Sequence, residues 1–362
     1  MKQTILTVLG TRPEIIKFSP VLPLFDARFE HVLVHTGQHY DENMDRIFFR
    51  ELKLRQPAYF LNVGSAGIGP GVQLGRMLER LEPILSKVRP DWVAVLGDTN
   101  STLAGALVAA KLNVPIVHFE SGCRSFNRDA PEEQNRILVD HLAALLLAPD
   151  RQAVAHLRHE GIDRKRVHCI GNTGLDATRR AMRLVRERQL RKFGVRPEAF
   201  VLATLHRAES TDDRARLSQI VAGINEVSEM VPVLFPIHPR TVAMLQKHRI
   251  RLAQGVHRLE PIGNLDFLAL LKNSLFVMSD SGGVQEEAAV VNRPCLVLRD
   301  ETEWTRLVDA GKNFLTGTNP RGIIRIAGAL LRSPSLRLKI RGKKAPLQFG
   351  ATQKAIRLLL KK

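Results

Sequence analysis

The sequence predicts an α/β protein of two Rossmann-like domains whose strand ends face each other across a cleft. Three observations predict it. Short apolar strands alternate with helix-patterned segments in both halves, polar residues and glycines gather at each strand's C-terminal end, and 362 residues suffice for two cores of ordinary size.

In the first half, Thr4 to Leu9 reads as a strand, Gly10-Thr11-Arg12-Pro13-Glu14 as the turn after it, and Ile15 to Phe25 as a helix. His31 to His35 is a second strand ending in Thr36-Gly37-Gln38-His39, followed by a helix from Asp41 to Leu52. A glycine-rich loop, Gly64 to Gly71, leads into a helix from about Val72 to Val88. Trp92 to Leu96 is a strand ending in Gly97-Asp98-Thr99-Asn100-Ser101-Thr102, Leu103 to Lys111 is a helix, and the strand Pro115 to Phe119 runs into Glu120-Ser121-Gly122. A very basic helical segment, Arg179 to Lys192, connects the halves.

The second half repeats the pattern. Phe200 to Thr204 is a strand ending at His206-Arg207-Ala208-Glu209, Arg214 to Met230 is a helix, and Val233 to Ile237 is a strand ending at His238-Pro239-Arg240. The stretch LFVMSDSGGVQEEAAVVNRPCLVL, Leu275 to Leu298, reads as strand, tight turn at Ser281-Gly282-Gly283, helix from Val284 to Val291, and strand again from Pro294. The expected division is 1–172, carrying most of the carboxylates, 173–348, and a terminal helix over 349–362 placed to dock back on the N-terminal domain.

Composition narrows the function. Nothing resembles a signal peptide and no apolar run approaches ~20 residues, so a cytoplasmic protein with no membrane insertion is expected. Cys123, Cys169 and Cys295 are too few and too scattered for a disulfide framework, and they form no metal-ligand pattern. The formal charge is +18, and beyond Asp309 the chain carries thirteen Lys and Arg but no acidic residue. Without aromatic interleaving or a recognition-helix pattern this implies solvated faces and attraction for an anionic substrate, with no specific nucleic acid.

The strand ends carry the chemistry. At Ser281-Gly282-Gly283, backbone N–H groups at a helix start suit a phosphate, and a carboxylate from Glu286 or Glu287 in the first helical turn is placed for ribose hydroxyls; the plain alternative is a βα turn with acidic residues complementing the helix dipole. Asp98, Glu120 and the pair Glu132-Glu133 bring carboxylates to the edge of the first sheet, with Arg12, Lys17, Arg124, Arg136, His206, His238 and Arg240 as cations. Such a set suits abstraction of a proton from carbon while a phosphate departs. Each also has a duller reading: Asp98 as a helix cap, Glu132 and Glu133 as first-turn acids after Pro131, and the histidines as structural.

Six motifs in order, from Gly10 to about Phe314, closely resemble the non-hydrolysing UDP-N-acetylglucosamine 2-epimerases. They are Gly10-Thr11-Arg12-Pro13-Glu14 with Lys17; Gly97-Asp98-Thr99-Asn100-Ser101-Thr102; His118-Phe119-Glu120-Ser121-Gly122 with Arg124; Pro131-Glu132-Glu133 with Asn135-Arg136; His206-Arg207-Ala208-Glu209; and Asp280-Ser281-Gly282-Gly283-Val284-Gln285-Glu286-Glu287. The resemblance implies a GT-B-like fold, a homodimer, no cofactor and no metal, and interconversion of UDP-GlcNAc and UDP-ManNAc through elimination of UDP to a glycal. It assigns Asp98, Glu120, Glu132 and His206 to catalysis, supported by Lys17 and Arg136. Arg12, His206, Ser281, Gly282 and Gly283 fall to the diphosphate, Glu287 to the ribose and Phe267 to stacking on uracil, with His238 among the groups that bind the UDP-sugar. Which carboxylate serves which face of the sugar stays open.

The sequence departs from the pattern in places. Members activated by their own substrate carry two glutamines in a QHxxQ pattern; Gln38-His39-Tyr40-Asp41-Glu42 here argues against such activation. Asn127-Arg128 in the loop Arg124 to Glu132, Ile237-His238-Pro239-Arg240-Thr241 and Arg299-Asp300-Glu301-Thr302-Glu303-Trp304 resemble the subgroup acting on UDP-2,3-diacetamido-glucuronate, where an added arginine suits a sugar carboxylate. Cys123, where the family usually has leucine, reads as a small buried residue. Other classes are a GT-B glycosyltransferase, which needs an acceptor, and a noncatalytic nucleotide-sugar sensor.

Overall fold

Among the residues that the computed structural model describes, 2–38, 42–64 and 67–362, the chain forms two units: Met1–Arg180 with Gln348–Lys362, and Ala181–Leu347. The first is built on strands β1 (Thr4–Leu9), β2 (Glu30–His35), β3 (Tyr59–Phe60), β4 (Trp92–Leu96), β5 (Ile116–Phe119), β6 (Leu145–Ala148) and β7 (Val167–Cys169). They form one parallel sheet in the order β3-β2-β1-β4-β5-β6-β7. The chain therefore reverses its direction of travel between β1 and β4. In a doubly wound sheet that is where the loops at the strands' C-terminal ends part and leave a crevice.

One face of this sheet buries Leu6, Val8, Val93 and Val95 against Met77, Leu81 and Leu85 of the helix Pro70–Val88 and against the small-residue helix Asn100–Lys111. On the other face, Phe18 of the helix Arg12–Phe18 meets Phe119 edge-to-face at 5.2 Å. That contact fixes more than packing. Lys17 just before Phe18 and Glu120 just after Phe119 are their chain neighbours, so the aromatic pair aligns a cation with a carboxylate at the sheet's edge.

The second unit repeats the topology with β8 (Val201–Thr204), β9 (Val233–Pro236), β10 (Val256–Leu259), β11 (Val277–Ser279), β12 (Cys295–Val297) and β13 (Asn313–Leu315). The order is β10-β9-β8-β11-β12-β13, again parallel, with the reversal between β8 and β11. Phe235, Met278 and Leu296 pack with Ile224 of the helix Arg214–Met230 and Ile323 of the helix Pro320–Arg332.

Several elements differ from the sequence reading for identifiable reasons. The expected helix Ile15 to Phe25 is two helices, Arg12–Phe18 and Leu22–Arg28, because Pro20 interrupts it. The basic connector is likewise broken into Thr173–Met182 and Glu187–Arg191. The terminal helix Ala351–Leu359 is part of the first unit: Asp176 accepts hydrogen bonds from the backbone N–H groups of Gly350 and Thr352, both at 2.9 Å, and so satisfies donors at the helix start. Asp176 also draws the first eight residues of Thr173–Met182 into that unit. Among the described residues, no helix is long and apolar enough to cross a membrane.

Candidate active site

In the first unit the loops after β1, β4 and β5 enclose a cavity of about 360 Å³. Asp98, Glu120, Glu132 and Lys17 line it together with Gln38 and Asn135. Two β–α connections thus deliver the carboxylates, and a third delivers Lys17, to one place. Lys17 Nζ donates to Glu120 Oε2 at 2.7 Å. Burial works against the lysine's charge, but the Glu120 carboxylate more than compensates and holds its pKa up at about 12. Arg136 pairs with Asp98, while Asn135 Nδ2 donates to the Asp98 carbonyl at 2.9 Å.

The capping alternative for Asp98 does not hold. Thr99 is the N-cap of Asn100–Lys111, its hydroxyl accepting from Thr102 N–H, so the Asp98 carboxylate is left for Arg136 and the cavity. The acidic pair after Pro131 divides its labour. Glu133 is buried, and although burial opposes its charge, N–H groups of Ser125 and Phe126 at 2.9 Å, the Ser125 hydroxyl and Arg136 hold its pKa below the usual carboxylate range. It ties down the loop Arg124 to Glu132. Glu132 is exposed, makes no hydrogen bond among the described residues, and faces the cavity.

Glu120 sits at φ 62°, a left-handed conformation that is uncommon for a residue with a side chain and that aims it out of the strand. The surroundings determine that turn. His118, fully buried in β5, bonds Gly97 O at 2.8 Å and Asp140 Oδ1 at 2.7 Å, and Asp140 Oδ2 accepts from Gly122 N–H at 3.0 Å. Gly122 has φ 78°, and a Cβ there would lie 2.4 Å from the Ala153 carbonyl oxygen. We expect Gly122→Ala to lower stability by about 2–4 kcal/mol, read from denaturant unfolding; an unshifted midpoint would mean that the loop relaxes without resistance.

Arg124 is a correction to the sequence reading, which grouped it with the site's cations. Its guanidinium is spent beneath the loop on Asp140 at 2.8 Å and Glu160 at 2.7 Å. Arg240 is likewise engaged, with Asp212. Arg12 opens its helix at the sheet's reversal point and lies over the Phe48 ring, 5.6 Å from its centroid. Of the stretch Gln38 to Glu42, on which the QHxxQ comparison turns, His39-Tyr40-Asp41 lie outside the described residues.

The second unit gathers a different set at its own reversal point. Asp280, fully buried after β11, accepts backbone N–H bonds from His206 and Arg207 at 3.1 and 2.9 Å and lies 3.3 Å from His206 Nδ1. Burial opposes its ionisation, but these partners hold its pKa below the ordinary value. The half-exposed His206 ring is 6.1 Å from that of His238, which caps the helix Pro239–His248 by accepting from Arg240 N–H.

Helix Gly282–Val290 begins two residues earlier than the sequence suggested, because Ser281 is its N-cap. Gly282 and Gly283 therefore occupy the first helical positions, whose N–H groups have no partner within the helix. Glu287, one turn on, has no hydrogen-bond partner among the described residues, and burial pushes its pKa up to about 7. Phe267 is half-buried in the first turn of Asn264–Asn273 and makes no ring contact among the described residues.

Comparison with known proteins follows the same lines. A family model described as UDP-N-acetylglucosamine 2-epimerase matches residues 25–361. The chain is 44% identical over 336 residues to the UDP-N-acetylglucosamine 2-epimerase of Methanococcus maripaludis, covering 90% of this chain and 91% of that one. It is also 44% identical over 317 residues to the UDP-2,3-diacetamido-2,3-dideoxy-D-glucuronate 2-epimerase of Pseudomonas aeruginosa, covering 86% and 88%. The crystal structure of Methanocaldococcus jannaschii UDP-GlcNAc 2-epimerase in complex with UDP-GlcNAc and UDP superposes with a TM-score of 0.84 at 41% identity, covering 100% of both chains.

Proposed function

The chain belongs to the UDP-N-acetylglucosamine 2-epimerase family, and from that membership we propose that it inverts C2 of a UDP-linked 2-acetamido sugar by eliminating UDP and adding it back. The observation that carries the reading is the cavity in which Asp98, Glu120 and Glu132 meet, two of them held by the cations Arg136 and Lys17. C2 of such a sugar lies next to no carbonyl carbon of the ring, so its proton is not acidic enough to be removed alone. Removal becomes feasible when the electrons of the C2–H bond form a C1–C2 double bond as the C1–O bond to UDP breaks. A carboxylate takes the proton, the diphosphate leaves with the bonding pair, and a glycal remains. Re-addition of UDP at C1 with a proton delivered to the other face of C2 gives the epimer. Nothing is oxidised or reduced overall, and acid/base groups on two faces suffice.

The roles divide between the units. In the first, Asp98, Glu120 and Glu132 move protons, with Lys17 and Arg136 placing the charges. In the second, the N–H groups of Gly282 and Gly283, the Ser281 cap, His206 and His238 suit a diphosphate, Glu287 suits the ribose and Phe267 the uracil; Arg12 adds a cation from the first unit. His206, oriented by Asp280, also suits protonation of the departing UDP. The homodimer and the cytoplasmic location expected from the sequence belong to this reading, as does a supply of precursors for surface polysaccharide.

UDP-GlcNAc is the substrate we favour. Two observations keep the diacetamido-uronate as a second reading: the Pseudomonas relative is as similar as the archaeal one, and Arg128 is exposed and forms no ion pair among the described residues. Incubation in D2O with each compound alone decides between them. The true substrate acquires deuterium at C2 and yields its 2-epimer without any acceptor. A transferase gives no UDP-ManNAc, and a sensor binds without exchange.

A further inference from the structure

Glu14 belongs to neither ion pair of the site, yet it lines the same cavity and is only 2% exposed. Its Oε2 accepts from Gly10 N–H at 3.0 Å and from the Thr11 hydroxyl at 2.8 Å. Its Oε1 lies 3.0 Å from Thr99 Oγ1 and 3.1 Å from Thr102 Oγ1. Gly10 and Thr11 lead directly into Arg12, and Thr99 directly follows Asp98. A single carboxyl group therefore joins the loops after β1 and β4 at the point where the sheet reverses.

Counting hydrogens shows which form of the carboxyl group fits. The Thr102 hydroxyl has one proton, and its shortest contact is the Leu96 carbonyl oxygen at 2.7 Å. With that proton committed, Thr102 Oγ1 and an ionised Glu14 Oε1 would be two acceptors in contact. A proton on Oε1 turns the contact into a hydrogen bond and leaves Oε2 to accept from Gly10 and Thr11. We propose that Glu14 is a positioning residue that works as a neutral acid: protonated, it latches the Arg12 loop to the Asp98 loop, and loss of the proton loosens that latch. What the latch serves rests on the epimerase reading; its existence does not.

The electrostatic setting agrees. Burial pushes Glu14 up to about 7 against the pull of its hydrogen-bonding neighbours Thr11, Gly10, Thr99 and Thr102. Of the charged groups around the same cavity, Asp98, Glu120 and Glu132 would repel a fourth carboxylate, while Lys17 is engaged with Glu120. Because the folded-state pKa lies above the ordinary 4.5, the stability contributed by the protonated form is complete at low pH and is lost as pH rises through about 7.

Thermal unfolding of the intact protein and of Glu14→Gln, followed from about pH 5 to about pH 8, tests the proton independently of any activity. Glutamine copies the neutral acid, its oxygen accepting and its NH2 donating, so the wild-type melting temperature should drop by several degrees relative to the variant across that range. A constant difference, or a Glu14→Gln protein that fails to fold, overturns the proposal. In turnover, Glu14→Ala should lower kcat by about 10²-fold, and Glu14→Gln should recover it to within about tenfold. It should also keep that rate on the alkaline side, where the wild type declines. A folded Gln variant as impaired as Ala would equally overturn it. If the wild type turns over no UDP-sugar, the epimerase reading fails, and the melting comparison still decides whether Glu14 carries the proton.

Discussion

Asp98→Asn and Glu120→Gln are each expected to cut deuterium incorporation at C2 of the recovered nucleotide sugar by about 10²–10⁴-fold, the usual worth of a positioned acid or base. Both substitutions are nearly isosteric, and neither side chain belongs to a core. Arg136 and Lys17 keep an oxygen to donate to, so the loops should hold their shape while the proton acceptor disappears. Affinity for UDP, measured by calorimetry, should persist, because neither side chain is among the groups assigned to the nucleotide. Starting the exchange from each epimer in turn adds an assignment: a variant that stalls wash-in from only one epimer has lost the group attending that face. Unchanged exchange in both variants would remove these carboxylates from the mechanism.

The sequence shows much of this site because βα units put their C-terminal strand ends on one edge, and each motif was legible as a strand end. The meeting of Lys17 with Glu120 is implicit in two phenylalanines, Phe18 just after the lysine and Phe119 just before the glutamate. What could not be read was depth. Arg124 and Arg136 look alike in sequence, but one is consumed by Asp140 and Glu160 while the other reaches Asp98, since partners on other elements of the chain are fixed only by packing. Glu14 drew no attention as a titratable group for the same reason: its four hydrogen-bonding neighbours include residues more than eighty positions distant. Strands such as β3 and β7, two and three residues long, are too short to show a period, and the start of Gly282–Val290 was misplaced because glycine reads as turn when it stands just inside a capped helix.

Glu287→Ala should weaken UDP binding by about 10- to 100-fold, the value of hydrogen bonds to a charged group. The carboxyl group is well suited to detection because it begins without a hydrogen-bond partner among the described residues: burial raises it to about 7, so near neutrality it is divided between its two forms. Ribose hydroxyls donate, and an ionised carboxylate accepts more bonds than a neutral one, so nucleotide should favour ionisation and lower this pKa. Two consequences have fixed signs. UDP affinity should rise as pH increases through about 7 and level off above it. Binding near pH 7 should also release a fraction of a proton, seen as a calorimetric enthalpy that changes with the buffer's ionisation heat. Glu287→Gln, which cannot titrate, should lose the buffer dependence and flatten the affinity profile, even where some hydrogen bonding survives. If UDP binds the Ala variant as tightly as the wild type, or if the proton release persists in the Gln variant, the ribose contact is made elsewhere. The acid just inside the Ser281-capped helix would then be only what its burial makes of it, a carboxyl group that weakens the fold as pH rises through about 7.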